Sequence, residues 1–441
     1  MTPPAEAAAE RALSASELQE AWAVLSPEER LEGLALLPHA EAEDLLLALP
    51  ARDQAELILK MPPGDRRSWV RLLAPDDAAD LIQEAPEEER EGLFGLLDEP
   101  TRREVAALLA YAEDDAGGLM NPRFARLRPD MTVDEAISYL RRQARERLET
   151  IYYVYVLDTE QRLLGVVSFR ELFAAPSDKR VRDIMHLDVV TVPEEMDQEA
   201  VSRVIAEHDL LAVPVVDAER RVKGIVTIDD AVDVVEEEAT EDLQKFGGMT
   251  ALETPYLETP LRDMLRKRGG WLSMLFVGEM FTATAMAYFE HEIAQAVFLA
   301  VFIPLIISSG GNSGSQASTL VVRALSLGEL RLRDWWRVVG REITSGFALG
   351  CILGALGFVR VIVWQAAFGT YGSQSVLLAL TVSVSLVGVV TFGSLAGSML
   401  PLLLKSVGFD PAVASAPLVA TLVDVSGIVI YFAAASLILL H

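Results

Sequence analysis

The chain has 441 residues and one cysteine, Cys351, so no disulfide framework or thiolate metal site forms within one copy. Its five histidines, at positions 39, 186, 208, 291 and 441, lack the short spacings of a zinc site. No Gly-x-x-x-x-Gly-Lys-Ser/Thr run is present, which argues against an ATP-driven pump. Basic charge is scarce: 38 Lys and Arg stand against 65 Asp and Glu, a formal net charge of −27. A nucleic-acid partner needs a basic footprint and is therefore not expected. The Ala/Glu-rich start lacks a basic-then-apolar leader, so the soluble part is expected in the cytoplasm.

Charge of either sign is nearly missing from the last third. Gly270–His441 holds 7 Lys/Arg and 8 Asp/Glu, which leaves 31 basic and 57 acidic residues ahead of it. The front 269 residues thus carry about −26 of the total charge, and the back is apolar. Such a surplus suits a protein that meets cations, with solubility alone as the plain alternative.

Apolar stretches at about 270–290, 294–325, 341–364, 375–404 and 411–440 mostly exceed the roughly 20 residues that cross a bilayer. Arg262, Arg266, Lys267 and Arg268 precede the first. Arg331, Arg333 and Arg337 lie between the second and third, and Lys405 lies between the last two. The remaining loops carry Glu290 and Glu292, or no charge. The positive-inside rule then puts the N-terminus in the cytoplasm and the C-terminus outside.

Two repeats occupy the acidic front. Pro27, Pro38, Pro50, Pro62, Pro75, Pro86 and Pro100 recur at spacings of 11 to 14, each after a short apolar run and before polar or acidic residues. Pro and acids both suit a helix's first turn, so an all-α superhelical array of short helices is expected over 1–117. Over 118–240, Tyr153–Leu172 and Ala212–Ala231 match at a constant offset of 59 residues, each reading strand, turn, strand, then Ser or Thr at a helix start. An amphipathic helix precedes each pair. This pattern resembles tandem cystathionine-β-synthase (CBS) domains, an α/β unit. A charged connecting segment, 241–269, interrupted at Gly247-Gly248, leads to an all-α transmembrane domain of five helices at 270–441.

Ionisable groups at membrane depth are costly and are functional candidates by default. Asp424 lies near the middle of the last span, with no basic residue on that span. The run Ser308–Thr319 holds three glycines, Asn312 and Gln316. It reads as a broken helix whose freed carbonyls and side-chain oxygens offer hard ligands, against the alternative of close packing by small residues. Glu279, in the first span, is a candidate second pore carboxylate.

The chain resembles the MgtE family of magnesium transporters. The resemblance rests on Glu238–Asp242, on Gly310-Gly311-Asn312-Ser313-Gly314-Ser315-Gln316 and on Pro417–Asp424, and it extends over almost the whole chain. It implies a Mg²⁺-selective channel or transporter in the cytoplasmic membrane, not an enzyme. It implies a homodimer with Asp424 as pore Mg²⁺ ligand, and closure by regulatory Mg²⁺ at Asp76, Asp77, Asp217, Asp230, Asp233, Glu238 and Asp242. Two positions depart from some family members, Ala416 before Pro417 and Ser315 in the glycine-rich run, and both bear on ion selectivity. Thr227-x-x-Asp230 also fits a ribose-and-phosphate contact, so ATP or another adenine nucleotide is an expected ligand of the CBS domains, with a helix N-cap as the alternative. Transport of Co²⁺ or Ca²⁺, or cation/proton exchange at Asp424, is the other reading of the membrane domain. A membrane-anchored nucleotide sensor would need neither Asp424 nor the glycine-rich run.

Overall fold

The structure is a computed structural model that describes residues 13–439 except 144–147, 151, 253, 255 and 258. The Ala/Glu-rich first twelve residues and His441 lie outside this range. The chain divides into two compact units, 1–236 and 237–441.

In the first unit, short helices follow the proline rhythm: α1 (Ala15–Ala21), α2 (Pro27–Leu36), α3 (His39–Leu47), α4 (Ala51–Lys60), α5 (Pro63–Val70), α6 (Pro75–Glu84), α7 (Glu87–Phe94) and α8 (Glu99–Leu108). Pro38, Pro50, Pro62 and Pro86 are N-cap residues, and Pro27 and Pro75 open their helices. Ser14 and Ser26 close capping boxes with Glu17 and Glu29. The fixed φ of proline and its missing N–H cost nothing at these positions. Each helix buries one stripe, including Leu46, Ile58, Leu81 and Val105, against its neighbours.

After α9 (Ala116–Leu119) come two copies of one α/β unit. The first comprises β1 (Arg126–Leu127), α10 (Val133–Gln143), β2 (Tyr153–Leu157), β3 (Leu163–Ser168) and α11 (Phe169–Ala174). The second comprises β4 (Val192–Pro193), α12 (Gln198–Glu207), β5 (Ala212–Val216), β6 (Val222–Thr227) and the start of α13 (Ile228–Phe246). Each sheet has a parallel and an antiparallel pair in sequence order. The offset of 59 persists in the register, where Tyr153 pairs with Ser168 and Ala212 with Thr227. It persists in the bulges, in the left-handed turn residues Gln161 and Arg220, and in Asp158 and Asp217, whose Oδ1 atoms each accept two turn amides.

The second unit holds the end of α13, then α14 (Leu261–Tyr288), α15 (Glu290–Gln295), α16 (Ile303–Ser326), α17 (Trp335–Phe368), α18 (Ser375–Ser406) and α19 (Ala416–Ile438). Among the described residues four helical stretches are long and apolar enough to cross a membrane: Val297–Ser326, Leu332–Phe368, Gly372–Ser406 and Ala416–Ile438. They correspond to the last four expected spans. The first expected span, at about 270–290, falls mostly on α14, which is not among these four; Glu279 and its Gly, Ser and Thr residues dilute its apolarity. On α17 the stacked Trp335 and Trp336 mark one end, and Trp364, with the Arg360 guanidinium 3.8 Å from its ring centre, marks the other. About 43 Å of helix separates Trp335 from Trp364, close to a bilayer with its headgroups.

The expected helix break at Ser308–Thr319 is absent: α16 is continuous through the run. Its glycines serve close packing instead. A Cβ on Gly314 would stand 2.7 Å from Val419 Cγ1 and 2.9 Å from the Gly393 carbonyl oxygen, and a Cβ on Gly397 would collide with the Gly314 carbonyl. Gly310 and Gly314 on α16 thus face Gly393 and Gly397 on α18, a small-residue seam that lets the two backbones touch.

Candidate functional site

Two groups of chemistry-bearing residues emerge, one in each unit. In the second unit Asp424 sits half-buried on α19, where α14 and α16 both pack. Gly278 of α14 lies against Thr421, since a Cβ there would meet its Cγ2 at 2.8 Å. Glu279, the next residue, is exposed. Asn312 and Gln316 are exposed on α16, beside Gly311 and Ser315, which contact Ala420 and Ala416 of α19. The two departures from the family pattern therefore touch: Ser315 Oγ donates to the Ala416 carbonyl at 3.4 Å. Ser318 Oγ adds a buried bond to the Ala414 carbonyl at 2.8 Å. These bonds fix where α19 starts, and with it the depth of Asp424. Among the described residues no three Asp, Glu, His or Cys side chains of one chain converge to hold a metal directly.

The end of α13 meets the loops of this unit. Lys245 Nζ bonds Glu241 Oε1 at 2.5 Å and Asp410 Oδ2, in the α18–α19 loop, at 2.8 Å. Asp242 Oδ2 accepts from Ser326 Oγ at the end of α16. Gly248, with φ +75°, sits against Trp271 and Pro417. The α16–α17 and α18–α19 loops therefore lie on the same side of the unit as the end of α13.

In the first unit, carboxylates from three segments crowd together. Asp76, Asp77 and Asp80 come from α6, Asp229 and Asp230 from the start of α13, and Glu149 from the segment before β2. Asn121 Nδ2 bridges two of them, donating to Asp76 Oδ1 at 3.0 Å and to Glu149 Oε2 at 2.7 Å.

 Burial, and then the charges of Asp77, Asp230 and Glu149, push the Asp76 carboxyl well above its usual range. Burial, and then Asp77 and Asp230, push Asp80 up to about 7. Burial, and then Asp230 and Asp77, raise Glu149 to about 7. Asp230 rises to about 6, again chiefly through burial. Each carboxylate is hard to ionise beside the others, as expected for hard oxygen donors gathered without a counter-charge. Asp80 and Glu149 belong to the cluster but were not among the expected residues. Asp80 had a signal, since it stands four residues from Asp76 on one helix face.

Other expected site residues have visible local duties. Asp217 accepts the amides of Glu219 and Arg221 on Oδ1, and its Oδ2 lies 3.2 Å from Lys223 Nζ. Burial works against its charge, yet these partners hold its carboxyl below the usual range. At the start of α13 Thr227 donates twice to Asp230 Oδ2, from Oγ1 at 2.6 Å and from its backbone N–H at 3.2 Å. Its counterpart in the first copy is the Ser168–Glu171 capping box. Asp233 is exposed on α13, and Glu238 is half-exposed further along it.

Comparison with known proteins matches these segments. The family model described as "Divalent cation transporter" matches residues 303–434, the MgtE intracellular N domain matches 13–114, and the CBS domain matches 116–178 and 181–237. The chain is 44% identical over 347 residues to the magnesium transporter MgtE of Thermus thermophilus, covering 79% of this chain and 75% of that one. It is 36% identical over 334 residues to the magnesium transporter MgtE of Enterococcus faecalis, covering 76% and 71%. A crystal structure of the cytosolic domain of the Mg²⁺ channel MgtE in complex with ATP matches with a TM-score of 0.47 and 44% identity, covering 50% of this chain and 90% of that one.

Proposed function

The chain belongs to the MgtE family of divalent cation transporters, and from that premise we propose that it moves Mg²⁺ across the cytoplasmic membrane between the Asp424 carboxylates of two copies. The observation that carries this reading is the half-buried Asp424 on an apolar helix, with no basic residue on α19. A lone carboxylate facing lipid is costly. Two facing carboxylates match the charge of a hydrated Mg²⁺, an ion that dehydrates reluctantly and keeps several waters. Asn312 and Gln316 add amide oxygens for those waters. The topology that fits has five spans, with α14 as the first, a cytoplasmic N-terminus and an outside C-terminus.

The acidic front supplies feedback. Its parts are the N-domain at 1–117, the CBS pair at 118–240 and the connecting segment at 241–269. Asp76, Asp77, Asp80, Glu149 and Asp230 suit a hydrated Mg²⁺ held through its waters, since no three of them converge to hold the ion directly: they are hard oxygens and mutually repelling, and Asn121 bridges two of them. Bound Mg²⁺ supplies the missing positive charge and lets the cluster ionise in place. Asp217, Asp233, Glu238 and Asp242 are further regulatory candidates, with Asp217 exchanging Lys223 for the ion. The end of α13 passes the signal on through Lys245 and Asp242 to the loops beside α16 and α19. A nucleotide at Thr227 and Asp230 would take over the contact that these two side chains now make with each other.

The test is Mg²⁺ uptake into proteoliposomes by the full chain, with Co²⁺ and Ca²⁺ as competitors and with the potential and proton gradient set separately. Uptake driven by the potential, outcompeted by neither ion at equal concentration, supports the reading. Strict dependence on a proton gradient would replace it with exchange at Asp424.

A further inference from the structure

The sign of the charge reverses where α14 begins. In a chain of net charge −27, the first two turns of α14 hold Arg262, Arg266, Lys267 and Arg268 against one acid, Asp263. No carboxylate among the described residues forms an ion pair with Arg262, Arg266 or Arg268. Beside these cations lie large apolar side chains that nothing in the unit covers: Leu257 is 88% exposed, Leu261 71% and Leu265 63%, with Tyr256 next to them. Leu261, Leu265, Leu272, Phe276 and Met280 recur at spacings of four and seven, so one exposed stripe runs from these turns along α14. Behind the basic turns, a cleft of about 560 Å³ is lined by Thr250, Thr254, Thr259, Asp263, Arg266 and Lys267.

We propose that this segment docks onto an anionic lipid surface, with Tyr256, Leu257, Leu261 and Leu265 in the acyl boundary and headgroup phosphates held by Arg262, Arg266 and Arg268. The inference rests on the reading that α14 enters the membrane. An amphipathic segment with basic and apolar faces side by side fits the interface of a charged leaflet. A second copy is the poorer occupant, because a two-fold contact would bring like charges together. A soluble phosphate is poorer too, because it leaves the leucines in water. The docked segment anchors the chain where the connecting region meets the membrane domain, so lipid charge acts on the path between α13 and the pore.

The experiment uses the full chain with Cys351→Ser, carrying a nitroxide on Leu257→Cys or, separately, on Phe276→Cys, in phosphatidylcholine vesicles with or without phosphatidylglycerol. The expected result is a lipid-immersed label at 276 in both vesicle types and immersion at 257 that increases with phosphatidylglycerol. In an Arg262→Gln/Arg266→Gln/Arg268→Gln variant that preference should fall by about fivefold per charge removed. A water-exposed label at 257 with an immersed one at 276 overturns the lipid proposal and leaves the span intact. Water exposure at both positions removes the span and the proposal together. Immersion at 257 that ignores phosphatidylglycerol overturns the anionic part. Reproduction of its effect by inorganic phosphate assigns the site to a free anion, and spin–spin broadening between copies at 257 assigns the face to a second chain.

Discussion

Lys245 Nζ stands 2.8 Å from Asp410 Oδ2, across 165 residues of sequence. Partial burial works against the Lys245 charge, but hydrogen bonds to Asp410 and Glu241 hold its pKa above the usual lysine range. Asp410 also caps the turn before α19 by accepting the Ala412 amide at 2.8 Å. One ion pair thus ties the end of the connecting helix to the residues that set α19 in place. If this pair holds the closed state, Lys245→Met should raise the Mg²⁺ concentration for half-inhibition by about fivefold, the worth of roughly 1 kcal/mol. The exchange Lys245→Asp/Asp410→Lys should restore it. Inhibition curves for flux into proteoliposomes check this, and a Lys245→Met curve that overlays the unaltered protein removes the pair from the gate.

The carboxylate cluster predicts a pH dependence that Mg²⁺ abolishes. Folded-state pKa values of about 7 for Asp80 and Glu149 and about 6 for Asp230 lie above their ordinary values. Such groups stabilise the compact arrangement fully below about pH 4. That contribution is lost as pH rises through the folded values, so it is gone above about 7. Without divalent ions, protease resistance of the 76–80 and 229–233 segments in the full chain should therefore fall between about pH 4 and about pH 7. Saturating Mg²⁺ should flatten the profile, and Asp80→Asn should weaken it. A profile that is flat without Mg²⁺ contradicts the cluster.

The seam between α16 and α18 leaves no room for side chains. Gly314→Val and Gly397→Val should each destabilise the membrane unit by about 1–3 kcal/mol through overpacking. Thermal unfolding in detergent reads this as a lowered midpoint. Gly369→Ala is a poor control because its φ is +64°, whereas Gly340→Ala, with open space around it, should change nothing.

Much of this architecture is written in the sequence because it rests on local rules. The prolines mark helix starts through their own geometry, and the offset of 59 predicts two like sheets, including the turn acids Asp158 and Asp217. The glycine-rich run misleads for a physical reason. Small residues have the same composition whether a helix breaks or packs closely, and only the facing pair Gly393 and Gly397 on α18 decides between them. The cluster was half legible: Asp76, Asp77 and Asp230 stand out by motif, while Asn121 and Glu149 reach it only through the fold. The Lys245–Asp410 pair carries no sequence signal at all, being one lysine and one aspartate far apart in the chain.

Thr227 holds Asp230 in the present arrangement. If a nucleotide displaces that contact, Thr227→Val should weaken ATP binding by about tenfold, the worth of one hydrogen bond to a charged group, while leaving Mg²⁺ flux at low Mg²⁺ unchanged. Calorimetric titration of the full chain with ATP measures it. Equal affinity in both proteins would leave Thr227 as a helix cap alone.

If Mg²⁺ passes at Asp424, the Asp424→Asn protein should carry almost none. The amide keeps the shape of the side chain and removes its charge. With dimer content and unfolding midpoint matched to the unaltered protein, Mg²⁺ uptake by Asp424→Asn proteoliposomes should drop to nearly that of protein-free vesicles. Uptake at the unaltered rate would contradict the assignment and move the ion path away from α19.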